Sequence, residues 1–106
     1  MRKNLFLILI IFVAGNVTAK VASDVCKETY DIAEKVMIYR QAGVPMPIQM
    51  KFVDELKGLN SETKQTVRDI VQEAYEEPKY STQDYQDKSV KEFSNSWYLK
   101  CYKATK

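Results

Sequence analysis

The chain has 106 residues, 45% of them hydrophobic, with 16 Lys and Arg against 14 Asp and Glu, two Cys and no His. That length sets one small domain, and a net charge of +2 is too little for an electrostatic nucleic-acid footprint. The lack of His removes the commonest general base and the commonest zinc ligand.

The N-terminus reads as an export signal. Met1-Arg2-Lys3-Asn4 is a short positive stretch, and Leu5–Ala14 is an unbroken apolar run. Gly15 and Asn16 break the run, and Val17-Thr18-Ala19 presents a small residue for cleavage after Ala19. The apolar run is about half of the roughly 20 residues that a bilayer span requires. An uncleaved N-terminal anchor is the alternative. Ser23-Asp24-Val25 is too polar to make Cys26 a lipidation site. Cleavage removes Arg2 and Lys3, so the mature chain, 20–106, is near-neutral and keeps no polybasic patch for anionic lipid. The expected setting is the periplasm, with no stable membrane anchor after cleavage and no nucleic-acid partner.

Export makes the cysteines legible. A small secreted chain with two Cys is expected to oxidise them, pairing Cys26 with Cys101. Two free thiols or an intermolecular bridge are the alternatives. Chain entropy assigns such a long closed loop about 4–5 kcal/mol, comparable to the whole stability of a domain this small.

Four segments with helical periodicity follow one another. The first runs from about Val21 to Ala42, with Cys26, Tyr30, Ala33, Val36, Met37 and Tyr39 as its apolar face and Gly43 placed to end it. Pro45 and Pro47 mark the break. The second runs from about Pro47 to Leu59, with Ile48, Phe52, Val53, Leu56 and Leu59 as its stripe. The third runs from about Ser61 to Glu76, capped by Asn60 or Ser61, with Val67, Ile70, Val71, Ala74 and Tyr75 facing inward. Pro78 stops it.

The fourth segment starts near Ser81. Ser81-Thr82-Gln83-Asp84 resembles a capping box, and Tyr80 is placed to staple against Tyr85. Its stripe is Val90, Phe93, Trp97 and Cys101. Lys100, Lys103 and Lys106 complement the dipole of the last helical segment. The fold class is therefore all-α, a small four-helix bundle-like domain. The cysteine positions require the first and last helices to be antiparallel neighbours, because a parallel pair sets the two thiols a helix length apart.

No catalytic signature is present: no CxxC, no Gly-rich phosphate loop, no GxSxG and no EF-hand loop. No cofactor and no metal site is expected. The acids Asp24, Asp31, Glu34, Asp54, Glu55, Glu73, Glu76 and Glu77 alternate with Lys and Arg and read as a solvated, ion-paired surface. Two stretches stand out. Tyr39, Arg40 and Gln41 close the first helix beside a proline hinge, and Tyr80 and Tyr85 flank the start of the fourth. With seven Tyr and one Trp in the chain, these five residues are the candidate partner-binding patch. The competing reading makes Arg40 and Gln41 structural, satisfying the helix end.

Three motifs in order, Met37-x-x-Arg40-Gln41-x-Gly43, Ala74-Tyr75-x-x-Pro78-x-Tyr80 and Phe93-x-x-x-x-Tyr98-x-x-Cys101, follow the export signal. Together the chain resembles a group of small exported proteins of Gram-negative bacteria and their phages or prophages. The resemblance implies a periplasmic, helical, disulfide-linked domain and carries over no catalytic residues. By analogy of size and compartment, such proteins act by binding, as in blocking a lysozyme or excluding a second phage. The leading expectation is a non-catalytic interaction protein. A small carboxylate-dependent hydrolase of cell-wall glycan is the alternative, and a folding helper that exposes apolar surface in acid is a third.

Overall fold

A computed structural model describes residues 23–105; residues 1–22, with the expected export signal at 1–19, and Lys106 lie outside the described residues. Among the described residues there are four helices and no strand. Helix α1 covers 23–41, α2 Met46–Glu55, α3 Ser61–Glu76 and α4 Gln83–Ala104.

Helix α1 ends as its sequence demands. Gly43 takes φ +90°, its N–H donates to the Arg40 carbonyl, and the Val44 N–H reaches back to the Tyr39 carbonyl. This paired closure uses two otherwise unpartnered carbonyls and needs the left-handed residue that Gly supplies. Helix α2 stops four residues short of the expected Leu59. Leu56 is already extended (φ −66°, ψ 127°), because the connection must turn at Gly58 (φ +82°) and present Asn60 in extended form. Asn60 then caps α3, its side-chain oxygen accepting from the Thr63 N–H at 2.7 Å. Helix α4 starts later than Ser81: the N-cap is Thr82, whose hydroxyl accepts from the Tyr85 N–H at 3.4 Å. A Ser81–Asp84 capping box does not form, because the cap is one residue further on.

Cys26 and Cys101 are bonded, with their Cα atoms 5.4 Å apart across 75 residues of sequence. One turn inward, the Tyr30 and Tyr98 rings meet edge to face at 6.4 Å. The start of α1 thus lies against the end of α4, and the two helices are antiparallel neighbours. One heptad inward from the disulfide, the same register sets Ala33 at the level of Ser94, and both are fully buried. Small residues there let the helices approach closely. The Ser94 hydroxyl is satisfied on its own helix, donating to the Val90 and Lys91 carbonyls at 2.7 and 3.2 Å.

The core draws on every helix: Ala33, Val36 and Met37 from α1, Val53 from α2, Val67, Ile70, Val71 and Ala74 from α3, and Phe93 from α4. Met46, Met50, Tyr75, Val90 and Trp97 pack against it while keeping some exposure. Two of the anticipated faces are corrected. Tyr39 is half exposed, and of the α2 stripe only Val53 is buried; Ile48, Phe52, Leu56 and Leu59 face outward. The inward face of α2 is instead Met46, Gln49, Met50 and Val53, spaced i, i+3, i+4, i+7.

Gln49 holds that core position because its amide nitrogen is bonded on both sides. Its Nε2 donates to the Val36 carbonyl at 3.1 Å and to the Tyr75 hydroxyl at 2.8 Å. The Tyr75 hydroxyl in turn donates to the Val44 carbonyl. One buried amide therefore ties α2 to α1 and α3, and a buried polar group so paired costs little.

Candidate functional site

The five candidate residues divide by what their side chains do. Gln41 is 3% exposed. Its Nε2 donates to the Pro78 carbonyl at 2.9 Å and to the Met37 sulfur at 3.4 Å, and its Oε1 accepts from the Tyr80 N–H at 2.8 Å. A side-chain amide that both donates and accepts against a chain segment fixes it as a neighbouring strand would. Arg40 works on the same segment. Its Nη2 donates to the Glu77 carbonyl at 3.1 Å, and its guanidinium carbon lies 5.0 Å from the centre of the Tyr75 ring. The end of α1 thus grips residues 77–80, the link from α3 to α4.

That grip positions Tyr80. Its carbonyl accepts from Gln86 Nε2 at 2.8 Å, and its ring stacks on Tyr85 with centroids 5.9 Å apart and planes 29° from parallel. The expected contact between these two tyrosines is present, with Tyr85 the third residue of α4. Tyr80 keeps partial exposure, and Tyr85 is 58% exposed. The Tyr39 ring stacks on neither of them and pairs with no other aromatic ring among the described residues.

The stacked tyrosines stand at the side of a groove of about 390 Å³ between the end of α3 and α4 as far as Ser96. Phe93 contributes apolar wall; Ser89 and Ser96 contribute hydroxyls; Glu73, Glu77, Glu92 and Lys88 supply charge. Much of that charge is internally paired. Lys100 binds both oxygens of Glu73, at 3.1 and 2.9 Å, with its ammonium 4.4 Å from the centre of the Trp97 ring. Lys88 and Glu92 face each other at 4.0 Å, a turn apart. Glu77 has no side-chain ion pair among the described residues. With three carboxylates and one ammonium, the lining is net acidic, and Lys100 offsets part of that from outside it.

The remaining ion pairs lie on the surface. Lys27 pairs with Asp31 at 3.0 Å, and Arg68 with Asp54 at 2.7 Å. The Asp31 carboxylate holds the Lys27 ammonium above the ordinary lysine range, by its hydrogen bond first and its charge second. Among the described residues no cluster of acids and cysteines is arranged to hold a metal ion.

Sequence reasoning found both tyrosines of the stack and the two helix-end residues that position one of them. It missed Gln49, Ser89 and Phe93 as parts of the frame and groove. Gln49 carried a usable signal: it occupies an inward phase between Met46, Met50 and Val53, where a polar residue demands partners.

Fold and groove together define a small helical domain, stapled by a disulfide between its first and last helices and carrying an aromatic-sided groove. A disulfide of this kind fits an oxidising compartment, and among the described residues no helix is long and apolar enough to cross a membrane. Compared with known proteins, the chain matches no family model, no curated protein and no solved structure.

Proposed function

We propose that this is an exported periplasmic protein that acts without catalysis, by binding a protein partner in the groove between α3 and α4. The observation that carries the reading is the Tyr80–Tyr85 stack beside the groove, with Tyr85 58% exposed and Tyr80 on a segment gripped by a buried glutamine. An exposed aromatic pair on a pre-ordered segment offers contact area at little further entropic cost, the property that makes Tyr a frequent interface anchor. The acidic lining favours a partner segment carrying Lys or Arg.

Roles then follow for the five candidates. Tyr80 and Tyr85 contact the partner. Arg40 and Gln41 position Tyr80 from behind. Tyr39 lies outside the groove lining and serves as an internal control. The export signal and the resemblance to small exported phage and bacterial proteins support the periplasmic setting, and a blocking or inhibitory role suits a binder of this size.

The test is affinity capture from periplasmic extract with the wild-type protein, Tyr85→Ala and Tyr39→Ala. A reproducible partner kept by Tyr39→Ala and lost by Tyr85→Ala supports the reading. No partner, or one indifferent to Tyr80→Ala and Tyr85→Ala, sinks it.

A second reading rests on Glu73, Glu77 and Glu92 lining the same groove. A carboxylate-dependent glycan hydrolase needs one acid free to give a proton and another to assist. The Lys100 grip on Glu73 counts against it. Clearing of a cell-wall suspension by the wild-type protein and its loss in Glu77→Gln would favour this reading over binding alone.

A further inference from the structure

Helix α2 turns Gln49 and Val53 inward, with Met46 and Met50 beside them, and leaves its other large apolar residues outside. Ile48 is 48% exposed, Phe52 60% and Leu56 41%. They follow at four-residue steps, so Ile48 and Phe52 form one ridge along the helix and Leu56, its C-cap, continues it. Phe52 is the most exposed large apolar side chain of the described residues. The ridge is remote in sequence from the groove, and none of its residues lines it.

The charges beside the ridge indicate what would cover it. Lys51 and Glu55 lie one turn apart on a single flank of Ile48 and Phe52, with the positive charge toward the start of the helix and the negative toward its end. Neither takes part in an ion pair among the described residues, whereas the neighbouring Asp54 is taken by Arg68 of α3. A two-fold axis that lays α2 antiparallel against a second α2, centred one residue beyond Phe52, sets Lys51 of each copy level with the partner copy's Glu55 on the same side of the seam. A parallel two-fold pairing puts the two charged flanks on opposite sides of the seam, so no Lys51–Glu55 pair forms across it. The patch is self-complementary in the antiparallel sense alone, as an isologous interface requires.

We propose that the Ile48–Phe52–Leu56 ridge is a self-association surface that takes a second copy of this chain, α2 against α2, with two reciprocal Lys51–Glu55 pairs setting the register. At their observed exposures the three side chains offer roughly 300 Å² of apolar surface per copy. Two copies together fall short of the roughly 1,200–2,000 Å² of a stable interface, so the dimer belongs to the weak, concentration-dependent class.

Sedimentation of the oxidised protein at low salt, from about 5 µM to about 1 mM, tests it. The expected result is a monomer–dimer equilibrium with a dissociation constant between about 10 µM and 1 mM. Phe52→Asp should be monomeric throughout with an unchanged melting curve, as suits an exposed site. Lys51→Glu should weaken the dimer at least about tenfold, and Lys51→Glu combined with Glu55→Lys should restore it. A monomer at every concentration overturns the proposal, including the case in which residues 1–22 of the same chain or a different protein cover the ridge. So does a dimer indifferent to Phe52→Asp and to the charge reversals.

Discussion

Replacing Gln41 with Leu keeps the volume of the side chain and removes its hydrogen bonds. The Pro78 carbonyl loses a donor at 2.9 Å, and the Tyr80 N–H loses an acceptor at 2.8 Å. A buried polar group left unpaired costs about 1–3 kcal/mol. Both bonds are only partly shielded from water, which keeps each loss toward the low end, for a total of about 2–4 kcal/mol. At about 4–8 °C per kcal/mol for a domain of this size, the melting temperature falls by roughly 8–32 °C. Thermal unfolding followed by far-ultraviolet circular dichroism measures the global effect. Hydrogen exchange at the Tyr80 amide measures the local one, and its protection should be lost in the variant. If Gln41→Leu melts within a degree or two of wild type with the Tyr80 amide still protected, the glutamine does not hold the linker and the positioning argument fails.

Other outcomes follow from the same structure. Cys26→Ser with Cys101→Ser opens a loop of 75 residues and should cost about 4–5 kcal/mol in urea unfolding, as should reduction of the wild-type protein; an unchanged midpoint would show the staple to be energetically idle. Asn60→Ala removes the α3 cap and should cost about 1 kcal/mol, whereas Ser61→Ala should cost far less. Lys27 holds its proton above the ordinary lysine range because of Asp31. Its pair therefore stabilises the fold below that range, and the contribution is lost as pH rises through the raised value. The melting difference between wild type and Lys27→Met should accordingly shrink in strong alkali, and a difference that grows there would contradict the assignment.

The helices were legible where apolar spacing and capping chemistry agree. Helix α3 is the clearest case: Asn60, Pro78 and the Val67–Ile70–Val71–Ala74 stripe leave no freedom in its limits or its face. The disulfide was legible from two cysteines near the ends of a small chain expected to be exported, and with it the antiparallel packing of α1 on α4. Helix α2 misled because it carries two sets of apolar residues on different faces. Ile48, Phe52 and Leu56 are the more hydrophobic set, yet Met46, Met50 and Val53 face inward, with Gln49 among them bonding to Val36 and Tyr75. Apolar content alone does not choose between such faces; the choice is made by partners from elsewhere in the chain. The candidate residues show the same limit. Spacing marked Gln41 and Tyr80 separately, but their bond crosses 39 residues and depends on how α3 returns to the end of α1.

The most direct test of the binding account is quantitative recovery of a periplasmic partner by the wild-type protein and by Tyr85→Ala, with both shown to melt alike. The account predicts a defined partner on the wild type and a loss of affinity of at least about thirtyfold, the scale of an interface hot spot, on removing the Tyr85 ring. Recovery of the same partner in equal amount by both proteins, or of none by either, would contradict it.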